Sequence, residues 1–94
     1  MSGAKVYPKE VGDRSVRITA ATTTAVLAKG GVLKRIIVGT TAAGTITVND
    51  ALGTKLVLKA SVAEGTYEMN LLCAGKIEVV TGAASDITVT FDSL

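Results

Sequence analysis

The 94-residue sequence predicts an all-β protein: a single antiparallel β-sandwich, jelly-roll-like, of about seven or eight short strands with an extended N-terminal arm. Three observations carry that prediction. Apolar and polar residues alternate with period two along most segments. Turns rich in Gly, Ala, Thr and Asp interrupt the alternation at a spacing of about 8–12 residues. No ten-residue stretch follows a helical pattern; the one competitor, Ala51–Ala60, is opposed by Gly53 and Val57.

Residues 1–14 are polar and do not alternate, so they read as an arm outside a domain of residues 15–94. Tyr7-Pro8 favours an extended backbone and Gly12-Asp13 marks a turn. The same composition fits a tail without fixed structure. From Val16 the strand pattern begins, with Val16, Ile18 and Ala20 on one face and Arg17 and Thr19 on the other. Ala25–Ala28 is a short apolar piece, and Lys29-Gly30-Gly31 turns the chain. Val32–Val38 is the longest apolar strand. Strict alternation groups Val32, Lys34, Ile36 and Val38 on one face and Leu33, Arg35 and Ile37 on the other. Both faces are partly apolar, which predicts a central strand or one lying under a neighbour.

After the turn 39–44, Thr45–Asn49 points Ile46 and Val48 inward. Asp50–Gly53 reads as another turn. Lys55–Ala60 puts Leu56, Leu58 and Ala60 on one face, and the strand opened by Glu64-Gly65 does the same with Tyr67, Met69 and Leu71. Ala74-Gly75 turns into Lys76–Thr81, with Ile77 and Val79 inward. Gly82–Ser85 leads to Asp86–Phe91, where Ile87, Val89 and Phe91 face in and Thr88 and Thr90 face out.

Composition narrows function. Apolar residues make up 48% of the chain but aromatics only 3%, so the core is aliphatic, and the mean hydropathy is positive. That surplus of apolar surface on so small a domain is most simply buried against other copies. With no histidine there is no ordinary triad or imidazole base, and with one cysteine there is no usual zinc site. The sequence therefore predicts neither an enzyme nor a bound cofactor. Cys73 reads as a small buried hydrophobe. Gly39 and Gly44 have the spacing of a phosphate loop but lack the Lys-Ser/Thr that must follow. Asp50, Asp86 and Asp92 read as turn residues bonding their own backbone rather than as calcium ligands. Glu64 and Glu68 lack the cleft a glycosidase pair needs.

No apolar run approaches the length of a membrane helix, and Met1–Lys5 lacks the apolar stretch of a secretory leader. Residues 1–35 hold seven cations and two carboxylates, a net of +5, and the remainder is −3. Such a split suits complementary pairing between subunits or with a larger acidic partner. The cations lack interleaved aromatics, which argues against nucleic acid.

Four segments in order carry a resemblance: Gly31–Val38 (GVLKRIIV), Gly44–Asp50 (GTITVND), Glu64–Met69 (EGTYEM) and Ile87–Asp92 (ITVTFD). Together they resemble small β-sandwich structural proteins of tailed-bacteriophage virions, over about residues 31–92. The resemblance implies a capsid decoration, or cement, protein that binds and stabilises the head shell. It implies the major capsid protein or other virion proteins as partners, assembly as a trimer or dimer, and a place in the virion after assembly in the bacterial cytoplasm. It brings no catalytic, cofactor or metal residues. A tail, neck or fibre-base module is the alternative in the same class, and a carbohydrate-binding sandwich is the alternative in another. On composition alone, Tyr7, Lys9, Arg14 and Arg17 are the expected partner contacts, with Tyr7 as the anchor.

Overall fold

In the computed structural model, residues 14–93 are described and form eight strands with no helix. They are β1 (Arg14–Ile18), β2 (Thr23–Leu27), β3 (Gly31–Thr40), β4 (Ile46–Asp50), β5 (Gly53–Leu58), β6 (Gly65–Cys73), β7 (Ile77–Thr81) and β8 (Asp86–Ser93). One sheet has the order β1-β8-β3-β6 and the other β2-β7-β4-β5, all antiparallel. Strand 1 pairs with 8, 2 with 7, 3 with 6 and 4 with 5. A long ribbon of four such pairs has been wrapped into two layers, which is the jelly-roll arrangement expected from the strand count.

The core lies between the layers. Leu33, Ile36, Val48, Cys73, Ile77, Val79, Ile87 and Val89 are fully buried there. Ile46 and Val48 on β4, Ile77 and Val79 on β7, and Ile87, Val89 and Phe91 on β8 face inward as alternation requires. Apart from Phe91 these side chains are β-branched, which suits the pleat and packs as thin aliphatic layers.

β3 departs from strict alternation. It is central, hydrogen-bonded to β8 on one side and β6 on the other. Yet Leu33 is buried together with Ile36 and Val38, whereas alternation had put Leu33 on the opposite face. The reason is a bulge. Leu33 pairs with Phe91 and Arg35 with Thr90, so Lys34 is an extra residue relative to β8. On the other side Leu33 pairs with Leu71 and Arg35 with Glu68, so β6 inserts two residues opposite the single Lys34. Asn70, one of those two, absorbs the irregularity at φ 50°. A bulge shifts the side-chain phase by one residue and increases twist. The same device at Val26 buries two consecutive residues of β2, Val26 and Leu27.

Smaller boundary differences have local causes. β1 begins at Arg14, which pairs with Phe91, so that residue belongs to the sheet and not to the arm. The Asp50–Gly53 turn is present: Asp50, the last residue of β4 and buried, pairs with Gly53 across Ala51-Leu52 and accepts the Leu52 N–H. Ala20 and Ala60 lie beyond the ends of their strands and are exposed.

The ends of the sandwich are tied by hydrogen bonds between loops. At one end, the Thr81 hydroxyl donates to the Ala20 carbonyl at 2.6 Å and accepts the Thr22 N–H at 3.1 Å. Gly82 N–H donates to Thr45 O, and Ser61 N–H to Ala42 O. Gly44 is required here, since a Cβ would stand 2.4 Å from the backbone of Gly82 and Ala83. At the other end, Ala51 N–H donates to Ala74 O at 2.9 Å.

The packing predicts unequal costs for two leucines. Leu33→Ala, at 0% exposure, should destabilise by about 2–5 kcal/mol. Leu52→Ala, on a turn at 83% exposure, should stay within about 0.5 kcal/mol of the parent. Urea unfolding of both variants checks this, and equal losses would contradict the core assignment.

Candidate functional site

The sequence-predicted contact residues separate in the structure. Tyr7 and Lys9 fall outside the described residues. Arg14 is exposed on β1, its guanidinium 6.0 Å above the Phe91 ring centre, the outer limit of a cation–π contact. Arg17, three residues on, is engaged within the fold. Its Nε donates to Asp86 Oδ1 at 2.9 Å and its Nη2 to Asp86 Oδ2 at 2.7 Å, a two-pronged pairing. The hydrogen bonds and charge of Arg17 hold the Asp86 carboxyl below its usual value, and Asp86 raises Arg17 in return. A partner using Arg17 would meet a guanidinium already oriented by this carboxylate.

The three aspartates do not converge. Asp86 opens β8 and Asp92 lies near its end, six residues and roughly 20 Å away along the strand. Among the described residues no group of three His, Cys, Asp or Glu side chains has metal-site geometry, and no pocket is present. Glu68 accepts a 2.9 Å hydrogen bond from Arg35 Nε across the neighbouring strand.

Asp50 instead builds a structural cradle. Its side chain is 1% exposed. Oδ1 accepts the Leu52 N–H at 2.9 Å and Oδ2 the Ala74 N–H at 3.0 Å, while Lys55 Nζ stands 3.9 Å away. The Ala74 hydrogen bond is the largest cause of a carboxyl held below its ordinary range; burial opposes it, and the Leu52 bond and Lys55 add to it. The cradle locks the β4–β5 turn against the β6–β7 connection. Gly75, at φ 79°, makes the contact possible, because a Cβ there would stand 2.7 Å from Ala51 Cβ. Cys73 next door is fully buried, as a small hydrophobe should be, and burial followed by the Asp50 charge pushes its thiol up.

One region that alternation could not single out is the side of the sandwich formed by β5 and β6. These strands follow one another in sequence but are edge strands of different sheets. Core-facing Leu56 and Leu58 on β5, and Tyr67, Met69 and Leu71 on β6, are only partly buried. The opposite side, between β1 and β2, contributes only Val16 to that class, while Ile18, Val26 and Leu27 are buried. The core is therefore sealed on one side and open on the other. The inward direction of each residue is readable from its spacing; which strands end as edges depends on the sheet order.

Comparison with protein-family models, curated proteins and solved structures finds no match to this chain.

The two lowered carboxyls set a pH dependence. A carboxyl whose folded pKa is depressed contributes stability that is complete above its unfolded value, about 4, and is lost as pH falls through the folded value. The urea midpoint should thus be flat near neutrality and fall steeply in acid. Asp50→Asn should lower the neutral midpoint and remove most of the acid slope. Arg17→Ala should remove less, since that pair is solvent-screened. An unchanged acid slope in Asp50→Asn would contradict the cradle's role.

Proposed function

We propose that the chain is a structural protein of a tailed-bacteriophage virion, a capsid decoration protein that binds the major capsid protein and stabilises the head shell. The observation that carries this reading is the jelly-roll wrapping of a threonine-rich sandwich whose core is left open along one side. Jelly rolls build viral shells as well as sugar-binding domains, so the wrapping supports the reading by analogy. The open β5–β6 side supplies the kind of surface that gains stability only when covered. The four ordered motifs of residues 31–92 add to it, and all of them fall on strands or the turns that begin them.

The mechanical role follows from the build. A rigid block, closed at both loop ends by hydrogen bonds, bridges neighbouring shell subunits through strand edges and aliphatic contact. Many copies share the load on one shell, so each contact need supply only a few kcal/mol. A sugar-binding reading has less support. Phe91 is buried, and the Tyr67 hydroxyl is committed to the Ala63 carbonyl at 2.5 Å, which leaves little aromatic platform among the described residues.

Two measurements test the proposal. Sedimentation with phage heads purified without this chain should show saturable binding, and quantitative mass spectrometry of purified virions should find on the order of hundreds of copies, as repeated shell sites require. A few dozen copies or fewer would move the protein to the tail, neck or fibre base; absence from the particle would end the virion reading. Because β1 starts at Arg14, the truncation that tests the arm removes residues 1–13 and spares the sheet. It should weaken shell binding at least about tenfold if Tyr7 and Lys9 make the anchoring contact.

A further inference from the structure

The open side carries a charge pattern that identifies what covers it. β5 and the residue after it present Lys55 and Lys59, while the start of β6 and the residue before it present Glu64 and Glu68. Leu58 pairs with Ile46, and Gly65 with Val38, so the end of β5 and the start of β6 lie at the same end of the sandwich. Lys59 and Glu64 thus share one level along the strand axis. Lys55 and Glu68, each three residues into its strand from Leu58 and Gly65, share another. One edge is basic and the other acidic, level by level.

We infer that two copies of this chain associate through their β5–β6 sides, about a two-fold axis parallel to the strands. That rotation exchanges the two layers without changing level. It lays β6 of one copy antiparallel to β5 of the other, so each four-stranded sheet continues into the partner's opposite sheet. Lys59 of the partner subunit then faces Glu64, and Lys55 of the partner subunit faces Glu68. The alternative two-fold, along the sheet normal, sets β6 beside β6 and β5 beside β5; it brings like charges together and is disfavoured. Leu56, Leu58 and Tyr67 become covered by their counterparts, and the outward N–H and C=O groups of both edges gain partners.

The irregularities of the edges bound the contact. Asn70 at φ 50° bends β6 away beyond Met69, and the register shift at Val48/Asn49 makes Lys55 the extra residue of β5. The regular stretches left for pairing are Thr66–Glu68 and Leu56–Leu58, with Gly65 and Lys55 at their margins. Lys55 also lies near Asp50 and Glu68 touches Arg35, whereas Lys59 and Glu64 are exposed and form no ion pair with another described residue. The outer pair is therefore the one that two copies are freest to use.

The inference goes beyond the proposed function and stands on these two strands alone. The test is a charge exchange read by sedimentation equilibrium with the full chain. The parent should be a dimer. Lys59→Glu alone and Glu64→Lys alone should each weaken self-association at least tenfold, because each repeats a like-charge contact twice across the axis. An equimolar mixture of the two variants should recover a mixed dimer. Both substitutions lie outside the strands, so circular dichroism should match the parent. A monomeric parent, or variants that dimerise as well as the parent, would overturn the inference. A monomer that still binds shells would leave the virion reading intact, and a charge-sensitive dimer that binds no shell would do the reverse.

Discussion

The fold closes on β3. It is the strand that both neighbours of its sheet need, paired with β8 along one edge and β6 along the other, and it turns Leu33, Ile36 and Val38 into the core together. That arrangement exists only because Lys34 is an extra residue against β8 and two residues of β6 then oppose Lys34. Across three adjacent strands the inserted length grows from none to one to two. Such insertions raise the local right-handed twist of a sheet. Without the bulge, Leu33 would face outward and the core would lose one of its largest fully buried side chains.

The two sides of the sandwich differ in how far their inward residues are covered. On the β1–β2 side the strands are short and their inward apolar residues, Val16 apart, are buried. On the β5–β6 side a nine-residue edge strand leaves Tyr67, Met69 and Leu71 half-covered. A domain of this size has little core to spare, so side chains left half-wet carry weight. The loop ends are handled differently. The Thr81 hydroxyl ties the end of β7 to the 20–22 connection, and the buried Asp50 carboxylate joins the Leu52 and Ala74 N–H groups of two separate connections. Their hydrogen bonds hold connections that carry few apolar anchors.

Most of the strand plan was legible in the chain. Ile46 and Val48, Ile77 and Val79, and Ile87, Val89 and Phe91 announce their inward faces by spacing alone, and the glycines and small residues between them announce the turns. Leu33 was misread because period two admits no insertion, and nothing local in Leu-Lys-Arg marks a bulge. The turn role of Asp50 is legible, but its burial is not, because that depends on Ala74, distant in sequence. The candidate surface was harder still. Arg17 was readable as a surface cation, but its partner Asp86 comes from the far end of the chain, and the exposure of Tyr67 and Leu56 follows from sheet order, which no single segment encodes. Tyr7 and Lys9 lie outside the described residues.

The pairing of β1 with β8 also orders events in time. Ser15 sits opposite Thr90, and Arg17 is gripped by Asp86, 69 residues further on, so β1 cannot find its place until β8 has been made. On a ribosome, β1 must wait unpaired until β8 has emerged from the exit tunnel. Folding of this kind is slow for its length and leaves Val16 and Ile18 without their β8 partners during synthesis.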